Sequence, residues 1–320
     1  MQTGGVACVA HFAGVLSGAT SGGPRFKASE LWRAAVRTCA VRKEICGRSA
    51  VRPASMVSAS QQTGLRSFVL SMAVIALTAA LAQPLSSQSR QTVVIRGHQQ
   101  SLYIYGSSHG EPVIVSSGDG GWIHLAPHVA EFLATRGFFV IGFDVRAYLS
   151  SSTSAHSTLK PEDEPADYRV LTDIAKKATG RKPILIGVSE GAGLSVLAAT
   201  DTNTKADISG VIGLGLPDLN ELAWRWKDAL IYLTHRAPDE PSFSAAAIVG
   251  RVAPLPLAAI HSTHDEFVPA TDVERVLNAA NEPKRLWIVN ASNHRFSDNL
   301  DEFDRQLLDA IAWVHAHAPR

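Results

Sequence analysis

Residues 183–191 read Pro-Ile-Leu-Ile-Gly-Val-Ser-Glu-Gly, and this stretch decides the fold. The run Pro183–Val188 is aliphatic and uninterrupted, which is typical of a strand buried on both faces of a sheet. Residues 191–199, which follow it, are small and aliphatic and predict a helix. A strand, a tight turn and a helix in this order predict one unit of an α/β protein with a mainly parallel sheet.

The same alternation continues over residues 92–320. Candidate strands are Thr92–Arg96, Leu102–Tyr105, Pro112–Ser116, Phe138–Phe143, Pro183–Val188, Gly210–Leu214, Leu257–His261 and Arg285–Val289. Candidate helices are Ile123–Thr135, Asp163–Thr179, Gly191–Ala199, Thr271–Ala280 and Asp298–His317. The first two strands predict an antiparallel hairpin, and the pattern as a whole predicts about eight strands with helices on both faces.

Residues 217–254 interrupt this rhythm. They contain several prolines and a group of aromatic residues. The stretch predicts a small helical cap over the carboxyl ends of the strands. The alternative is an ordinary long crossover made of a helix and a loop.

Composition and charge exclude several protein classes. The chain has 320 residues, of which 46% are hydrophobic and 18% charged, so it is neither a disordered polymer nor a polytopic membrane protein. The net charge of +1 excludes a strongly basic nucleic-acid binder, and we expect no nucleic-acid partner.

The first 82 residues differ from the rest of the chain. They hold nine Lys/Arg, only two acidic residues and all three cysteines, Cys8, Cys39 and Cys46. Residues 83–320 therefore contain no thiol, which excludes disulfides, cysteine–metal sites and a cysteine nucleophile there. In contrast to the first part, they carry a net negative charge.

A basic residue, Arg66, precedes the uncharged run 67–82, which ends in Ala-Leu-Ala. The run is shorter than the roughly 20 residues that a spanning helix needs, and it matches a secretory signal with its cleavage site. We therefore expect a signal at 56–82, a flexible mature start at 83–91 and a folded domain at 92–320. Residues 1–55 are expected to be disordered or a start-site artefact. The expected location is periplasmic or secreted, and the alternative for 67–82 is a buried helix or an uncleaved anchor.

Gly187, Ser189 and Gly191 form a Gly-x-Ser-x-Gly motif between a predicted strand and a predicted helix. In that context the motif is a nucleophile elbow, a strained turn that raises a serine hydroxyl above the sheet. The flanking glycines let the backbone segments cross closely. The alternative is a glycine-rich turn without a chemical role.

A serine nucleophile needs a base that is oriented by an acid. Asp265 follows the strand Leu257–His261, and His294 follows the last strand, so Ser189, Asp265 and His294 come in the order serine, acid, histidine. Each is predicted at the same edge of the sheet, where ligands bind in α/β proteins. The alternatives are His261 or His264 as the base and Glu266 or Asp218 as the acid, while Asp298 is expected to cap the last helix.

Backbone N–H groups must also stabilise the oxyanion that develops during acyl transfer. One is expected from Glu190, the residue after the nucleophile. The other is expected from the loop Ser117-Gly118-Asp119-Gly120-Gly121-Trp122, where Gly120, Gly121 or Trp122 could donate and Gly121 is favoured. The side chain of Trp122 either lines an acyl pocket or packs in the core. A phosphate-binding loop is the rival interpretation, but the Lys-Ser/Thr of a Walker A motif is missing.

Two further groups of residues are candidates for binding. Arg146 and Tyr148 follow the strand Phe138–Phe143, where they either line the way to the site or belong to a solvated loop with an Asp144–Arg146 pair. His261, His264 and His294 do not have the close ligand spacing of a metal site. We expect no metal and no cofactor.

At these residues the chain resembles the α/β-hydrolase superfamily over about 92–317. Residues 116–122 (SSGDGGW), the helix that follows, 139–148 and Gly191-Ala192 resemble the VirJ/AcvB family of periplasmic bacterial proteins. The stretches HDEFVP and NHRFSDN are similar to those of dienelactone-hydrolase-type esterases as well. The resemblance implies the α/β-hydrolase fold and an exported serine hydrolase. Members of the VirJ/AcvB family are linked to aminoacyl-phospholipid hydrolysis.

These observations predict an exported hydrolase that cleaves an ester or thioester through Ser189, His294 and Asp265. The substrate is expected to be a small-molecule or lipid ester, and contact with a membrane surface would follow if it is a lipid. The alternative is a catalytically silent envelope protein that uses the same fold for binding or secretion. The sequence leaves the oligomeric state open.

Overall fold

The computed structural model describes residues 88–230 and 240–319. The predicted segment 1–55 and the predicted signal 56–82 lie outside the described residues. The predicted flexible start 83–91 is described only from residue 88. Ser89, Arg90 and Gln91 already belong to the first strand, because they pair with residues of the second strand.

Eight strands form one sheet in the order β1-β2-β4-β3-β5-β6-β9-β10. β2 runs antiparallel to β1 and β4, and the other neighbours are parallel. These strands are β1 (Ser89–Ile95), β2 (His98–Tyr105), β3 (Pro112–Ser116), β4 (Phe139–Phe143), β5 (Ile184–Val188), β6 (Gly210–Leu214), β9 (Leu257–Ser262) and β10 (Lys284–Val289). The predicted hairpin and the predicted mainly parallel sheet are thus confirmed.

Helices cover both faces of this sheet. They are α1 (Leu125–Thr135), α2 (Val145–Ser152), α3 (Glu164–Thr179), α4 (Glu190–Ala199), α5 (Thr202–Ala206), α6 (Ala245–Ile248), α7 (Ala270–Ala279) and α8 (Leu300–His317). The buried side chains of α1 and α8 belong to one hydrophobic cluster, and those of α2, α3, α4 and α7 belong to the cluster on the other face.

The central strands are short, aliphatic and buried along their whole length, as a sheet covered on both faces requires. Their register aligns their carboxyl ends. Ser116 of β3 pairs with Gly187 of β5, and Ser262 of β9 pairs with Val289 of β10. The loops that follow β3, β5, β6, β9 and β10 therefore meet at one edge of the sheet.

The stretch 217–254 differs from the predicted helical cap in its described part. It contains a two-stranded antiparallel ribbon of β7 (Leu219–Glu221) and β8 (Ser242–Ser244), the 3-10 turns Trp226–Leu230 and Val249–Arg251, and the four-residue α6. Asp218 fixes this segment, because its carboxylate accepts hydrogen bonds from the Ser244 hydroxyl (2.7 Å) and the Ala246 N–H (3.0 Å).

Arg146 and Tyr148 lie on α2, where no helix was predicted. Asp144 caps this helix by accepting a hydrogen bond from the Ala147 N–H at 3.0 Å. Tyr148 is fully buried and its hydroxyl donates to Asp167 Oδ2 at 2.6 Å, so it is part of the core and not of the site. The Arg146 guanidinium lies over the Trp224 ring at 5.6 Å.

Candidate active site

Ser189 lies on a strained turn between β5 and α4. Its backbone has φ 50° and ψ −118°, a region that costs a residue with a Cβ about 1–3 kcal/mol. The Ser189 N–H donates to the Leu214 carbonyl at 2.8 Å, which holds the turn against the end of β6. The half-buried side chain projects at the carboxyl edge of the sheet, as a nucleophile elbow requires.

The two glycines of the motif are required by close backbone contacts. A Cβ at Gly187 would overlap the Gly191 carbonyl, and a Cβ at Gly191 would overlap the Ser117 carbonyl. The strand, the first turn of α4 and the loop after β3 are therefore in direct contact, with no room for side chains between them. This packing explains why the motif has glycine on both sides of Ser189.

Asp265 and His294 form a buried hydrogen-bonded pair. The His294 Nδ1–H donates to Asp265 Oδ2 at 2.6 Å, and the two side chains are only 10% and 1% exposed. Asp265 Oδ1 accepts from the Phe267 N–H (3.0 Å) and the Val268 N–H (2.8 Å). Burial acts to raise the pKa of Asp265, but the hydrogen bond and charge of His294, with the two N–H groups, outweigh it and hold the pKa below its ordinary value.

Neighbouring groups fix the position of the His294 ring and its loop. Glu266 accepts a hydrogen bond from the His294 N–H at 2.7 Å, and Asp298 accepts from the Ser292 N–H at 3.1 Å. Gly215 has φ +59° at the end of β6, and a Cβ there would lie 2.5 Å from His294 Cε1. Asp298 thus holds the loop of His294. The prediction that Asp298 caps α8 is wrong, because Asn299 stands at the N-cap position of this helix.

Ser189 and His294 line one cavity of about 250 Å³ at the carboxyl edge of the sheet. The cavity is also bounded by the loop after β3, through Gly118, Gly120 and Gly121. Its remaining wall includes large apolar side chains, and two of them are well exposed, Ile123 at 48% and Leu219 at 62%. The structure therefore brings the predicted nucleophile and the predicted base to the same cavity, with Asp265 buried behind the base.

In the loop after β3, the residue that faces the nucleophile is not the one that the sequence favoured. The Gly121 N–H, the favoured oxyanion donor, donates to the Gly118 carbonyl at 3.0 Å within the loop's own turn. Gly118 lies closest to the nucleophile, because a Cβ there would be 3.3 Å from Ser189 Cβ. Gly120 lines the cavity as well, whereas Trp122 does not. The Trp122 ring stacks on Tyr103 with 4.8 Å between ring centroids and so packs against the sheet.

The N–H of Glu190 lies in the first turn of α4, where helix N–H groups have no partner within the helix. The Glu190 side chain is 7% exposed, and its Oε1 has no hydrogen-bond partner among the described residues. Burial, followed by the charges of Glu221 and Asp119, raises its pKa well above the ordinary value. Burial, then Asp119 and Asp228, raises the pKa of Glu221 to about 8. Both carboxyl groups line the cavity. The pKa of about 8 keeps Glu221 mainly protonated at neutral pH.

The alternative acids and bases lie elsewhere. His261 is buried, and neither of its ring nitrogens has a partner among the described residues. His264 Nδ1 is 3.1 Å from the Thr263 hydroxyl oxygen, and neither histidine lines the cavity. Glu266 contacts the His294 backbone, and Asp218 binds Arg275 at 3.0 Å. Asp265 is therefore the acid that contacts the His294 ring.

Within the described residues, no group of three or more His, Cys, Asp or Glu side chains could hold a metal ion. In the same part of the chain, none of the helices is both long enough and apolar enough to cross a membrane.

Two solved structures have the same architecture. Dienelactone hydrolase of Anabaena variabilis is 17% identical with a TM-score of 0.54, and the match covers 74% of this chain and 100% of that one. An esterase of Pyrococcus furiosus is 16% identical with a TM-score of 0.54, covering 71% and 92% of the two chains. The protein has the α/β-hydrolase fold.

A protein-family model matches one part of the sequence. The model of the family described as bacterial virulence protein (VirJ) matches residues 111–226, which include Ser189 and the loop after β3 but neither Asp265 nor His294. The uncharacterized protein YfhR of Escherichia coli (strain K12) is 25% identical over 202 residues, 62% of this chain and 69% of that protein. These comparisons show the fold of the chain and the similarity of residues 111–226 to the VirJ family.

Proposed function

We propose that the protein is a serine hydrolase that cleaves carboxylic esters through Ser189, His294 and Asp265. The observation that carries the proposal is the buried 2.6 Å hydrogen bond from His294 to Asp265, on a histidine that shares one cavity with Ser189. The strained backbone of Ser189 supports it, because such strain in a cavity is typical of a nucleophile.

In the first half of the reaction, Ser189 Oγ attacks the ester carbonyl while His294 Nε2 accepts the hydroxyl proton. The Nδ1–H bond to Asp265 leaves Nε2 unprotonated and therefore able to act as a base. The carboxylate also stabilises the imidazolium that forms. The tetrahedral intermediate collapses to an acyl-enzyme, and His294 gives its proton to the departing alcohol. Water then attacks the acyl-enzyme by the same steps.

The oxyanion needs N–H donors on the side of Ser189 that the loop after β3 occupies. We propose the Glu190 N–H as the first donor and the backbone of this loop at Gly118–Gly120 as the second. The contact between Gly118 and Ser189 supports this assignment. Loss of one such donor typically costs about 10²–10³-fold in rate.

The cavity wall favours an ester with an apolar acyl chain. Ile123, Leu219 and Phe267 line the cavity, and exposed apolar side chains beside a reactive group are typical of a surface that binds apolar ligands. We propose a small-molecule or lipid ester as the substrate, as the similarity to VirJ suggests. Export remains part of the proposal on the strength of the basic residue and apolar run at 66–82.

The experiment that tests the proposal is labelling with a fluorophosphonate, a reagent that reacts with activated serines. We expect one covalent adduct per chain, and peptide mapping is expected to place it on Ser189. Denatured protein is the control and is expected to remain unlabelled, since the serine is reactive only beside His294. Folded protein that takes up no label, or takes it up at another serine, would contradict the proposal.

The alkaline side of the pH profile is expected to depend on Glu221. Because the pKa of Glu221 is raised to about 8, the carboxyl is neutral below this pH and becomes negative above it. A negative charge in the cavity repels the developing oxyanion, so we expect kcat/KM for a neutral ester to fall about tenfold above pH 8, which corresponds to about 1.4 kcal/mol. Glu221→Gln stays neutral and is expected to remove this fall.

The control for this pH effect is Glu274→Gln, which removes an exposed carboxylate on α7 outside the cavity. It is expected to keep the wild-type profile between pH 6 and 10. An alkaline fall of unchanged size in Glu221→Gln would show that another group is responsible.

A further inference from the structure

Two basic side chains line the same cavity as Ser189. They are His124, at the end of the loop after β3, and Arg295, the residue after His294. Arg295 is half-buried. Over residues 88–230 and 240–319, neither side chain makes a hydrogen bond or an ion pair. A guanidinium that is partly removed from water beside a cavity, with no carboxylate to bind, is available to a ligand.

The basic residues and the two raised-pKa carboxyl groups come from different elements around the cavity. His124 immediately precedes α1, and Arg295 lies shortly before α8, and these two helices cover the same face of the sheet. Glu190 begins α4, and Glu221 lies on β7, which packs against α4 on the other face. Ser189 stands between the two sides. Burial raises the pKa of Glu190 and of Glu221 and so acts against their charged forms, whereas the Arg295 guanidinium is always charged. Asp119 and Asp272 are the other carboxylates on the cavity lining.

The backbone holds both basic residues in place. His124 has φ 56° and ψ −114°, a strained conformation close to that of Ser189. The Arg295 N–H donates to Asn293 Oδ1 at 3.1 Å, in the loop that Asp298 fastens through the Ser292 N–H. Burial and then the charge of Arg295 lower the pKa of His124, so the two side chains are near enough to interact. The backbone contacts therefore keep both side chains at the same part of the cavity, within reach of one ligand group.

We propose that Arg295 and His124 form a subsite for an anionic group of the ester substrate, either a carboxylate or a phosphate. The proposal rests on the proposed ester hydrolysis and names a feature of the substrate. The planar guanidinium can donate two parallel hydrogen bonds to either anion, and the His124 imidazole can donate a third. The anionic group lies on the α1 and α8 side of the cavity, while the apolar part of the substrate contacts Leu219 and its neighbours.

The test compares matched esters in wild type and Arg295→Gln. The first pair is 4-nitrophenyl butyrate and the 4-nitrophenyl monoester of glutaric acid, which adds a carboxylate to the acyl chain. The second pair is monobutyrylglycerol with and without a 3-phosphate, which adds a phosphate to the alcohol. The readout is the ratio of kcat/KM for the anionic ester to that for the neutral ester.

In one of the two pairs, we expect the wild-type kcat/KM to be about tenfold or more higher for the anionic ester than for the neutral ester. One charge-assisted contact provides a difference of this size. The pair that shows the preference identifies the anion. Arg295→Gln is expected to bring that ratio close to one, and His124→Asn is expected to lower it by a smaller factor. Arg136→Gln removes the same charge from an exposed site at the other end of α1, and it is expected to keep the wild-type ratio.

The outcomes separate the two proposals. If neutral esters are hydrolysed and wild type prefers neither anion, or if Arg295→Gln keeps the preference, the subsite is overturned and the hydrolase remains. An equal loss in Arg136→Gln would overturn it too, because the effect would then be the net charge of the protein. If Ser189 takes no fluorophosphonate and no ester is cleaved, both proposals fail.

Discussion

Ser189→Ala is expected to lower kcat/KM for ester hydrolysis by about 10⁴–10⁶-fold, the loss that serine hydrolases show without their nucleophile. The substitution removes only the hydroxyl group, so the cavity and the hydrogen bond from His294 to Asp265 remain. Alanine has the same Cβ and therefore the same backbone strain, so thermal stability is expected to stay near that of wild type. Steady-state kinetics and a melting curve on the same sample check both statements.

A second substitution at this position separates strain from chemistry. Ser189→Gly removes the Cβ at φ 50° and is expected to increase the free energy of unfolding by about 1 kcal/mol. This gain corresponds to a melting temperature about 2–4 °C higher for a domain of this size. Activity is expected to be as low as in Ser189→Ala. A glycine variant more stable than Ser189→Ala would show that the conformation of the elbow lowers the stability of the wild type.

The control for both variants is Ser101→Ala, an exposed serine on β2 far along the chain from the cavity residues. It is expected to keep wild-type kinetics. Appreciable turnover by Ser189→Ala, beyond that of wild type denatured in the same preparation, would remove Ser189 from the reaction.

The fold could be predicted from the sequence where burial alone sets the pattern. β3 and β6 have the bounds that their aliphatic runs predict, because every residue in them is buried. β1 begins three residues earlier than predicted. Ser89–Gln91 are exposed and polar, so only their pairing with β2 makes them a strand, and pairing leaves no apolar signal in the sequence.

Two segments show how tertiary contacts overrule a local pattern. The sequence predicted no helix directly after the strand Phe138–Phe143, yet α2 extends from Val145 to Ser152. Asp144 before the helix, with Val145, Tyr148 and Leu149 at helical spacing, is the signal that could have revealed it. In 217–254, the ribbon of β7 and β8 depends on contacts of Asp218 with residues about 26 positions later, which no short window contains.

The candidate site was predictable to the extent that strand ends determine it. Parallel strands carry their carboxyl ends to one edge, so the loops of Ser189, Asp265 and His294 had to meet there once the strands were recognised. The roles of Gly215 and Glu221 could not be predicted. Gly215 is required by the shape of the His294 ring against the end of β6, and Glu221 reaches the cavity through the ribbon.

The oxyanion donor in the loop after β3 could not be predicted from the glycine-rich motif. Its glycines correctly indicated a backbone that approaches the nucleophile, but the motif does not say which N–H group is free. Gly121 uses its N–H for the turn of the loop and has a left-handed φ of +86°, and a Cβ there would lie 3.0 Å from Arg146 Nε. Gly121 therefore serves the shape of the loop, while Gly118 makes the approach to Ser189.

Asp265→Asn is expected to lower kcat by about 10⁴-fold at neutral pH with little change in KM. An asparagine can keep the acceptor for the Phe267 and Val268 N–H groups, so the loop is expected to stay in place. Its amide then donates to His294 Nδ1, which forces the proton onto Nε2. A histidine protonated at Nε2 cannot accept the proton of Ser189, so the variant folds and binds but does not react.

The protein offers a matched control for this variant. Asp304 on α8 forms a second pair with a histidine, His128 of α1, at 2.8 Å and away from the cavity. Asp304→Asn disturbs the same kind of contact and is expected to leave kcat unchanged. If Asp265→Asn also keeps wild-type kcat, the acid is not Asp265, and Glu266, which binds the His294 backbone, becomes the residue to replace next.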